Sequence, residues 1–198
     1  YNPQNQTYTV VATIDSTRFA SDMIIDGEYF YVAADNKILK YSIDNYTLLA
    51  ETTVPGVRNL MVHNGILFAS RGEYMVSYDS YLHVYNTNDL SFITSYDTIS
   101  GPKWATQNMI VNDDMLYVSI NNGFEWGNEK GLIGIIDLQT MYYTNEIDLG
   151  PDGTNPDNMV FDGTYIYTIN NKDWSGSSIS KLDLITSTPT TINMSMVS

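Results

Sequence analysis

Short apolar runs recur along the whole chain and alternate with clusters of Gly, Asn, Asp and Ser. The runs are rich in Val, Ile, Tyr, Phe and Thr, which favour the pleated, half-buried surface of a β-strand. No stretch keeps apolar residues at the i, i+3, i+4, i+7 spacing of a capped amphipathic helix over three turns. The pattern therefore predicts consecutive short antiparallel strands and an all-β fold.

The runs are organised in a unit that occurs four times. Each unit has four runs in the same internal order, and the units are anchored at Asp22, Asn59, Asn108 and Asn158, which are 37, 49 and 50 residues apart. Four strands in about 40–50 residues are typical of the blade of a β-propeller. A sandwich or a jelly roll also has many short strands, but it does not repeat a four-strand unit. The predicted antiparallel blades span residues 22–54, 59–99, 108–149 and 158–194.

One further run precedes the first unit. Residues 8–14 (Tyr-Thr-Val-Val-Ala-Thr-Ile) are similar to the fourth run of each unit, so we expect them to form the outer strand of a preceding blade. One strand added to four complete blades exceeds what a closed four-bladed ring holds, and propellers contain about four to eight blades. The sequence therefore predicts an incomplete portion of a larger propeller.

Composition restricts the possible partners. Nine Lys and Arg against 23 Asp and Glu give this acidic protein a net charge of −14. Binding to nucleic acid draws on clustered basic residues, and an anionic membrane surface would repel the chain, so neither partner is expected. No apolar run approaches the roughly 20 residues that span a bilayer, so no direct membrane insertion is expected. The chain has no Cys, which excludes a thiolate metal site or a Cys nucleophile.

Two of the units resemble a known repeat family. The fourth unit has Tyr165-Ile-Tyr-Thr-Ile-Asn170 followed by Ile179-Ser-Lys-Leu-Asp183, and the third has Leu116-Tyr-Val-Ser-Ile-Asn121 followed by Leu132-Ile-Gly-Ile-Ile-Asp137. These segments resemble the repeats of YncE-like, YVTN-type propellers, as do residues 9–14. The second unit departs most, because Tyr85-Asn86 stands where the family has Ile-Asp.

The resemblance implies an extracytoplasmic protein at the cell surface or in the periplasm, without a cofactor and without enzymatic activity. Such propellers include surface lipoproteins of the BtuG type, which capture cobalamin above an outer-membrane transporter. It thus implies a binding propeller that takes a small molecule or a protein partner and that can act as an accessory to an outer-membrane uptake system. The alternative is a structural or assembly subunit, such as a surface-layer module or accessory lipoprotein, with no small ligand.

The candidate binding residues lie in one class of loop. In a propeller, the loops between second and third strands and the loops between blades emerge on the same face, and loops on a rigid scaffold collect binding residues. Every Trp and Arg of the chain falls in these loops, and Trp, Tyr and Arg dominate binding hot spots. The predicted binding residues are Arg18, Phe19, Arg58, Arg71, Tyr74, Trp104, Phe124, Trp126 and Trp174.

Each of these residues also has a structural interpretation. A Trp in a loop between blades can pack in the seam between them, and an Arg can pair with an Asp across that seam. If the face does bind, its aromatic, Asn, Asp and Arg side chains suit a sugar, a flat ring, a peptide or a protein surface, which the sequence does not separate.

Catalysis and metal binding have weaker support. A glycoside or ester hydrolase is the third alternative, but the chain has no G-x-S-x-G, H-E-x-x-H or P-loop motif. His63 and His83 fall on predicted strands, where a histidine is more often structural than catalytic. No catalytic residue and no metal ligand is therefore predicted, although the oxygen-rich segment between Asp152 and Asp157 leaves calcium open.

Overall fold

The computed structural model describes residues 1–11, 13–14, 19–123, 125–172 and 176–194. These residues form sixteen strands in four antiparallel sheets, and no helix occurs among them, so none crosses a membrane there. Blade 1 contains β1 (Ala20–Asp26), β2 (Tyr29–Ala34), β3 (Lys37–Ser42) and β4 (Leu48–Thr53). Blade 2 contains β5 (Val57–His63), β6 (Ile66–Arg71), β7 (Ser80–Asn86) and β8 (Phe92–Asp97). Blade 3 contains β9 (Ala105–Asn112), β10 (Met115–Asn121), β11 (Gly131–Asp137) and β12 (Tyr142–Asp148), and blade 4 contains β13 (Pro156–Phe161), β14 (Tyr165–Asn170), β15 (Ser177–Asp183) and β16 (Thr188–Met194).

Each blade is a simple meander in which every strand pairs with the next one along the chain. The first two strands of blade 2 are joined by Asn64-Gly65, and both residues have positive φ, 49° and 77°. A two-residue turn of this kind matches the twist of the strands it joins, and Asn and Gly tolerate its backbone at low cost. The turn fixes the pairing of His63 with Ile66, from which the rest of the hairpin register follows.

The core lies between the blades. Successive residues of a strand point to opposite faces of its sheet, so each inner blade supplies two packing faces. On β6, Leu67 belongs to the apolar cluster shared with blade 1, whereas its neighbour Phe68 belongs to the cluster shared with blade 3. Ile133 and Ile166 belong to a third cluster between blades 3 and 4. All four side chains are fully buried, so the seams hold the blades together.

The blades form an open arc. The first strands of successive blades pack against one another in the order β1, β5, β9, β13. Among the described residues, β13 and β1 make no contact of similar extent, so the ring is not closed. The far face of blade 4 carries apolar side chains that no further blade covers. Val160 is 65%, Ile169 44%, Ile179 39% and Ile192 69% exposed. The predicted fold class is confirmed: the chain is an all-β partial propeller of four-stranded antiparallel blades.

The N-terminal segment differs from the prediction. Of residues 8–14, the described ones (8–11 and 13–14) belong to no strand. Ile14 instead packs on the outward face of blade 1, near Phe30, and Val11 lines an adjoining cleft of 530 Å³. The physical reason is that an outer strand pairs with the third strand of its own blade, and each of the four blades already has its own fourth strand in that place. Of its apolar side chains, Ile14 packs on this sheet face, whereas Tyr8 is 82% and Val10 76% exposed.

Candidate functional site

The loops of the chain differ between the two faces of the arc. The connections β2–β3, β6–β7, β10–β11 and β14–β15 and the three connections between blades lie on one face, which we call the loop face. Seven or more residues separate β6 from β7 and β10 from β11, whereas the first two strands of each blade are joined by tight turns on the opposite face. The longer loops that can carry binding side chains are therefore on the loop face.

A cleft of 490 Å³ opens on the loop face at the seam between blades 1 and 2, and we call it the blade 1–2 cleft. Its volume lies within the roughly 300–1,000 Å³ of small-molecule sites. Three of the predicted binding residues, Phe19, Arg58 and Tyr74, line it together. Its other polar lining includes Asn36 and Glu73, which the sequence did not single out.

Backbone hydrogen bonds fix the floor of this cleft. Asp35 donates its N–H to the carbonyl of Phe19 (2.8 Å), and the N–H of Phe19 donates to Oδ1 of Asp35 (3.1 Å). Gly56 donates to Oδ1 of Asn36 (3.1 Å) and accepts from the N–H of Gly72 (2.8 Å). Four segments distant in sequence are thereby tied into one surface, so the cleft walls are held by the scaffold.

Gly56 is required at the base of the cleft. Its φ of 72° lies in the left-handed region, which L side chains rarely adopt. A Cβ atom at this position would lie 2.6 Å from the hydroxyl oxygen of Tyr78. Glycine therefore allows the connection between blades to pass beneath the β6–β7 loop.

The side chains of the cleft combine exposed rings with polar groups of both signs. Phe19 is 74% and Tyr74 63% exposed. The guanidinium of Arg58, which is half-buried, makes no hydrogen bond or ion pair with any described residue. Glu73 accepts a hydrogen bond from the hydroxyl of Tyr78 (2.8 Å) and keeps further acceptor capacity. The cleft therefore offers exposed aromatic rings, a guanidinium without a partner in the described part of the chain, and a carboxylate.

Arg71 does not share this surface position. It is the last residue of β6, is only 6% exposed, and donates hydrogen bonds to the carbonyls of Pro55 (2.9 Å) and Ser80 (2.7 Å). Its guanidinium also lies 4.1 Å from the centre of the Tyr78 ring. Burial lowers its pKa from the ordinary value. Arg71 therefore holds the β6–β7 loop in place beneath the cleft.

His83 is the partner of Arg71 inside blade 2. Burial, reinforced by the neighbouring Arg71, lowers its pKa to about 4. Because Arg71 donates to Nε2 (2.7 Å), Nδ1 carries the proton and donates to the hydroxyl of Tyr85 (2.9 Å). Both ring nitrogens are occupied, as the structural interpretation of this histidine predicts.

The tryptophans lie elsewhere on the loop face. Trp104 is partly buried against the cluster between blades 2 and 3, and its indole N–H donates to Oε1 of Glu125 (2.7 Å). This hydrogen bond is the main cause that lowers the pKa of the Glu125 carboxyl. Trp126 is 68% exposed. The predicted residues Arg18, Phe124 and Trp174 lie outside the described residues.

The segment considered for calcium is already neutralised in part. The carboxylate of Asp152 pairs with the ammonium of Lys172 (3.2 Å), beside a second cleft of 520 Å³ at the seam of blades 3 and 4. Asn155 is 1% exposed, and its Nδ2 donates to the carbonyl of Lys172. No group of three or more His, Asp or Glu side chains that could hold a metal occurs among the described residues.

Sequence reasoning missed Asn36 and Glu73 because it gave weight to long loops and to aromatic or Arg residues. Asn36 sits in the shortest connection between a second and a third strand, two residues long. No sequence signal marks Asn36, because its contact with Gly56 joins residues 20 positions apart. Glu73 falls beside Tyr74 in a loop that was identified, but its carboxylate was not.

Comparisons with protein families and with curated proteins gave no match. Solved structures give matches in fold. The extracellular domain of the one component system BT4673 from B. thetaiotaomicron superposes with a TM-score of 0.64 at 18% identity, covering 93% of this chain and 23% of that one. BamB from Moraxella catarrhalis gives 0.61 at 13% identity, covering 89% and 50%. The WD40 domain of Neurospora crassa Pan2 gives 0.59 at 12% identity, covering 86% and 50%.

The neighbours are propeller proteins, and the chain spans half or less of each of these three. At such identities the likeness concerns the fold alone. It agrees with the open arc of four blades described above.

Proposed function

We propose that this chain is part of an exported, non-enzymatic propeller that captures a small ligand or a protein partner in the blade 1–2 cleft. The observation that carries the proposal is the pair of exposed rings, Phe19 and Tyr74, at one cleft with Arg58, whose guanidinium has no partner among the described residues. Burial of exposed aromatic side chains under a partner is energetically favourable, and Arg and Tyr recur at binding hot spots.

Export and a role at the cell surface rest on two supports. The repeats resemble those of YncE-like propellers, and one structural neighbour is an extracellular domain. An accessory part in outer-membrane uptake, as in BtuG-type lipoproteins, would place the loop face toward the ligand. Both points are proposals that extend the fold likeness.

The absence of catalysis is proposed from the state of the groups near the cleft. A general base needs a side chain with a free lone pair within reach of the substrate. Both ring nitrogens of His83 are hydrogen-bonded, one to Arg71 and the other to Tyr85. The guanidinium of Arg71 also donates to backbone carbonyls. Neither buried group can serve as the base, and the cleft carboxylate of Glu73 already accepts a hydrogen bond from the hydroxyl of Tyr78.

A second candidate, an assembly subunit with no small ligand, is favoured by the open face of blade 4. Its exposed apolar side chains, such as Val160 and Ile192, suit a protein neighbour. This role and ligand capture use different surfaces, so variants of one surface leave the other intact.

A thermal-shift screen tests the proposed capture. The probes are cobalamin, defined oligosaccharides and short peptides, each added to the purified chain. A probe that binds in the cleft raises the melting temperature of the wild type but not of Phe19→Ala or Tyr74→Ala. Tyr142→Ala removes a ring that is 73% exposed on β12 and should keep the wild-type response. Shifts that are equal in wild type and both cleft variants, or no shift with any probe, would contradict capture in this cleft.

A further inference from the structure

We infer that the ligand of the blade 1–2 cleft is a carbohydrate, bound through the ring of an uncharged pyranose. The inference rests on the proposed function, because it names the ligand class of the same cleft. It draws on three properties of the described residues: the exposed rings, the mixture of polar groups, and the charge.

The rings supply the apolar part of the site. Phe19 and Tyr74 come from different blades, and both line the cleft with most of their surface exposed. Phe19 is tied to Asp35 by two hydrogen bonds through its backbone, so its position is fixed. The face of an aromatic ring carries partial negative charge, which attracts the C–H face of a sugar ring. A pyranose offers such a face.

The polar groups supply donors and acceptors side by side. Arg58 presents a guanidinium that has no partner among the described residues and whose N–H groups only donate, and Glu73 presents a carboxylate, which only accepts. Asn36 uses its Oδ1 for Gly56, while its Nδ2 makes no hydrogen bond with the described residues. A hydroxyl both donates and accepts, so a pair of neighbouring sugar hydroxyls satisfies such groups together.

The charges disfavour the other ligand classes. A carboxylate or phosphate ligand would meet Arg58 but also Glu73 and Asp35, on a chain with a net charge of −14. A cationic ligand would be attracted by Glu73 and Asp35, but it would leave the guanidinium of Arg58 without a partner among the described residues. A neutral ring with several hydroxyls is repelled neither by the guanidinium nor by the carboxylates of the cleft. The cleft volume of 490 Å³ is sufficient for a ring of this kind.

Isothermal titration of the full chain tests the inference. The probes are neutral gluco-, galacto-, manno- and xylo-oligosaccharides, an oligogalacturonate as the charged counterpart, and monosaccharide alditols, which lack a ring. We expect at least one neutral oligosaccharide to bind, with affinity at least about tenfold above that for the alditols or the oligogalacturonate. Tyr74→Ala, Phe19→Ala and Arg58→Met should each weaken that binding about tenfold or more.

Matched controls separate binding from folding. Tyr142→Ala should bind as the wild type does, and the melting temperature of each cleft variant should stay close to that of the wild type. A glycopeptide that carries the same oligosaccharide distinguishes a glycoprotein glycan from a free saccharide: equal affinity indicates that the sugar alone is recognised, and a large gain indicates a glycan on protein. Both results support a carbohydrate ligand.

Other results overturn the inference in distinguishable ways. If no oligosaccharide binds at millimolar concentration, or only the oligogalacturonate binds, a neutral carbohydrate is wrong. If cobalamin or a peptide then binds with a dependence on Phe19 and Tyr74, the capture function stands without the sugar. If no probe depends on these two residues, the proposed function fails as well.

Discussion

The guanidinium of Arg71 lies 2.7 Å from Nε2 of His83 inside blade 2. The imidazole accepts this hydrogen bond only while it is neutral, and its other nitrogen donates to Tyr85. A protonated imidazole would face the Arg71 cation at hydrogen-bond distance. The neutral form of His83 is therefore part of the folded structure.

This relationship predicts a pH-dependent stability. The folded chain holds the pKa of His83 at about 4, against 6.5 for an ordinary histidine, so the unfolded chain binds more protons between these values. The stabilisation from His83 is thus fully present above pH 6.5 and is lost as the pH falls toward 4, by an amount of about 2–3 kcal/mol. Urea unfolding between pH 7.5 and 4.5 measures this loss.

The control for this prediction is a substitution that cannot titrate. His83→Gln keeps an acceptor for Arg71, and its stability should change less over the same pH interval than that of the wild type. His63→Gln changes a histidine outside this network and should retain the wild-type dependence. An equal pH dependence in His83→Gln and wild type would show that other groups cause the loss.

Two arginines form a matched pair for a second prediction. Arg71 is buried with carbonyl partners, whereas Arg58 has no partner among the described residues. Arg71→Met leaves the carbonyls of Pro55 and Ser80 without their donor, so we expect it to lower the free energy of unfolding by about 3 kcal/mol. Arg58→Met should change it by no more than about 0.5 kcal/mol.

Denaturant unfolding of both variants measures the difference. The opposite order, with Arg58→Met the more destabilising, would mean that Arg58 supports the seam between blades. Ligand binding should respond in the reverse sense, since Arg58 and not Arg71 faces the cleft.

The repeat architecture was predictable because strand alternation is local. Leu67 and Phe68 are adjacent apolar residues, and a strand must send them to opposite faces, which requires a blade on each side. The repeated four-run unit then dictates a meander. These steps need only the order of residue types, and for that reason the fold class follows from the sequence.

The remaining features depend on partners that are distant in sequence. Residues 8–14 have the composition of a strand, but an outer strand needs the third strand of its own blade, and in the described part of the segment Ile14 packs on the face of blade 1 instead. Arg71 was predicted to bind because it is an Arg near a loop, but the carbonyls of Pro55 and Ser80 draw it inward. Similarly, Asn36 enters the cleft only because the β4–β5 connection crosses the β2–β3 turn.

The tryptophans give a third prediction, because replacing a packed Trp lowers the free energy of unfolding more than replacing an exposed one. Trp104 packs against the cluster between blades 2 and 3, so Trp104→Ala should lower the free energy of unfolding by about 2 kcal/mol. Trp126 is 68% exposed, and Trp126→Ala should lower it by no more than about 0.5 kcal/mol. Thermal and urea unfolding compare the two variants directly. Equal destabilisation would assign Trp126 to the packing of the blades.

The open face of blade 4 leads to the last prediction. Ile169 pairs with Ile179, and Ile179 with Ile192, so three exposed isoleucines form a row across β14, β15 and β16. Such a row is an association surface, and we expect the chain by itself to form larger species as its concentration rises. The double variant Ile179→Lys with Ile192→Lys should stay monomeric at the same concentrations, because charged side chains resist pairing of sheet faces. Ile185→Lys, at a turn residue that is 89% exposed, should associate as the wild type does. Light scattering over a concentration series measures this, and a wild type that stays monomeric throughout would mean that the row is too small to drive association.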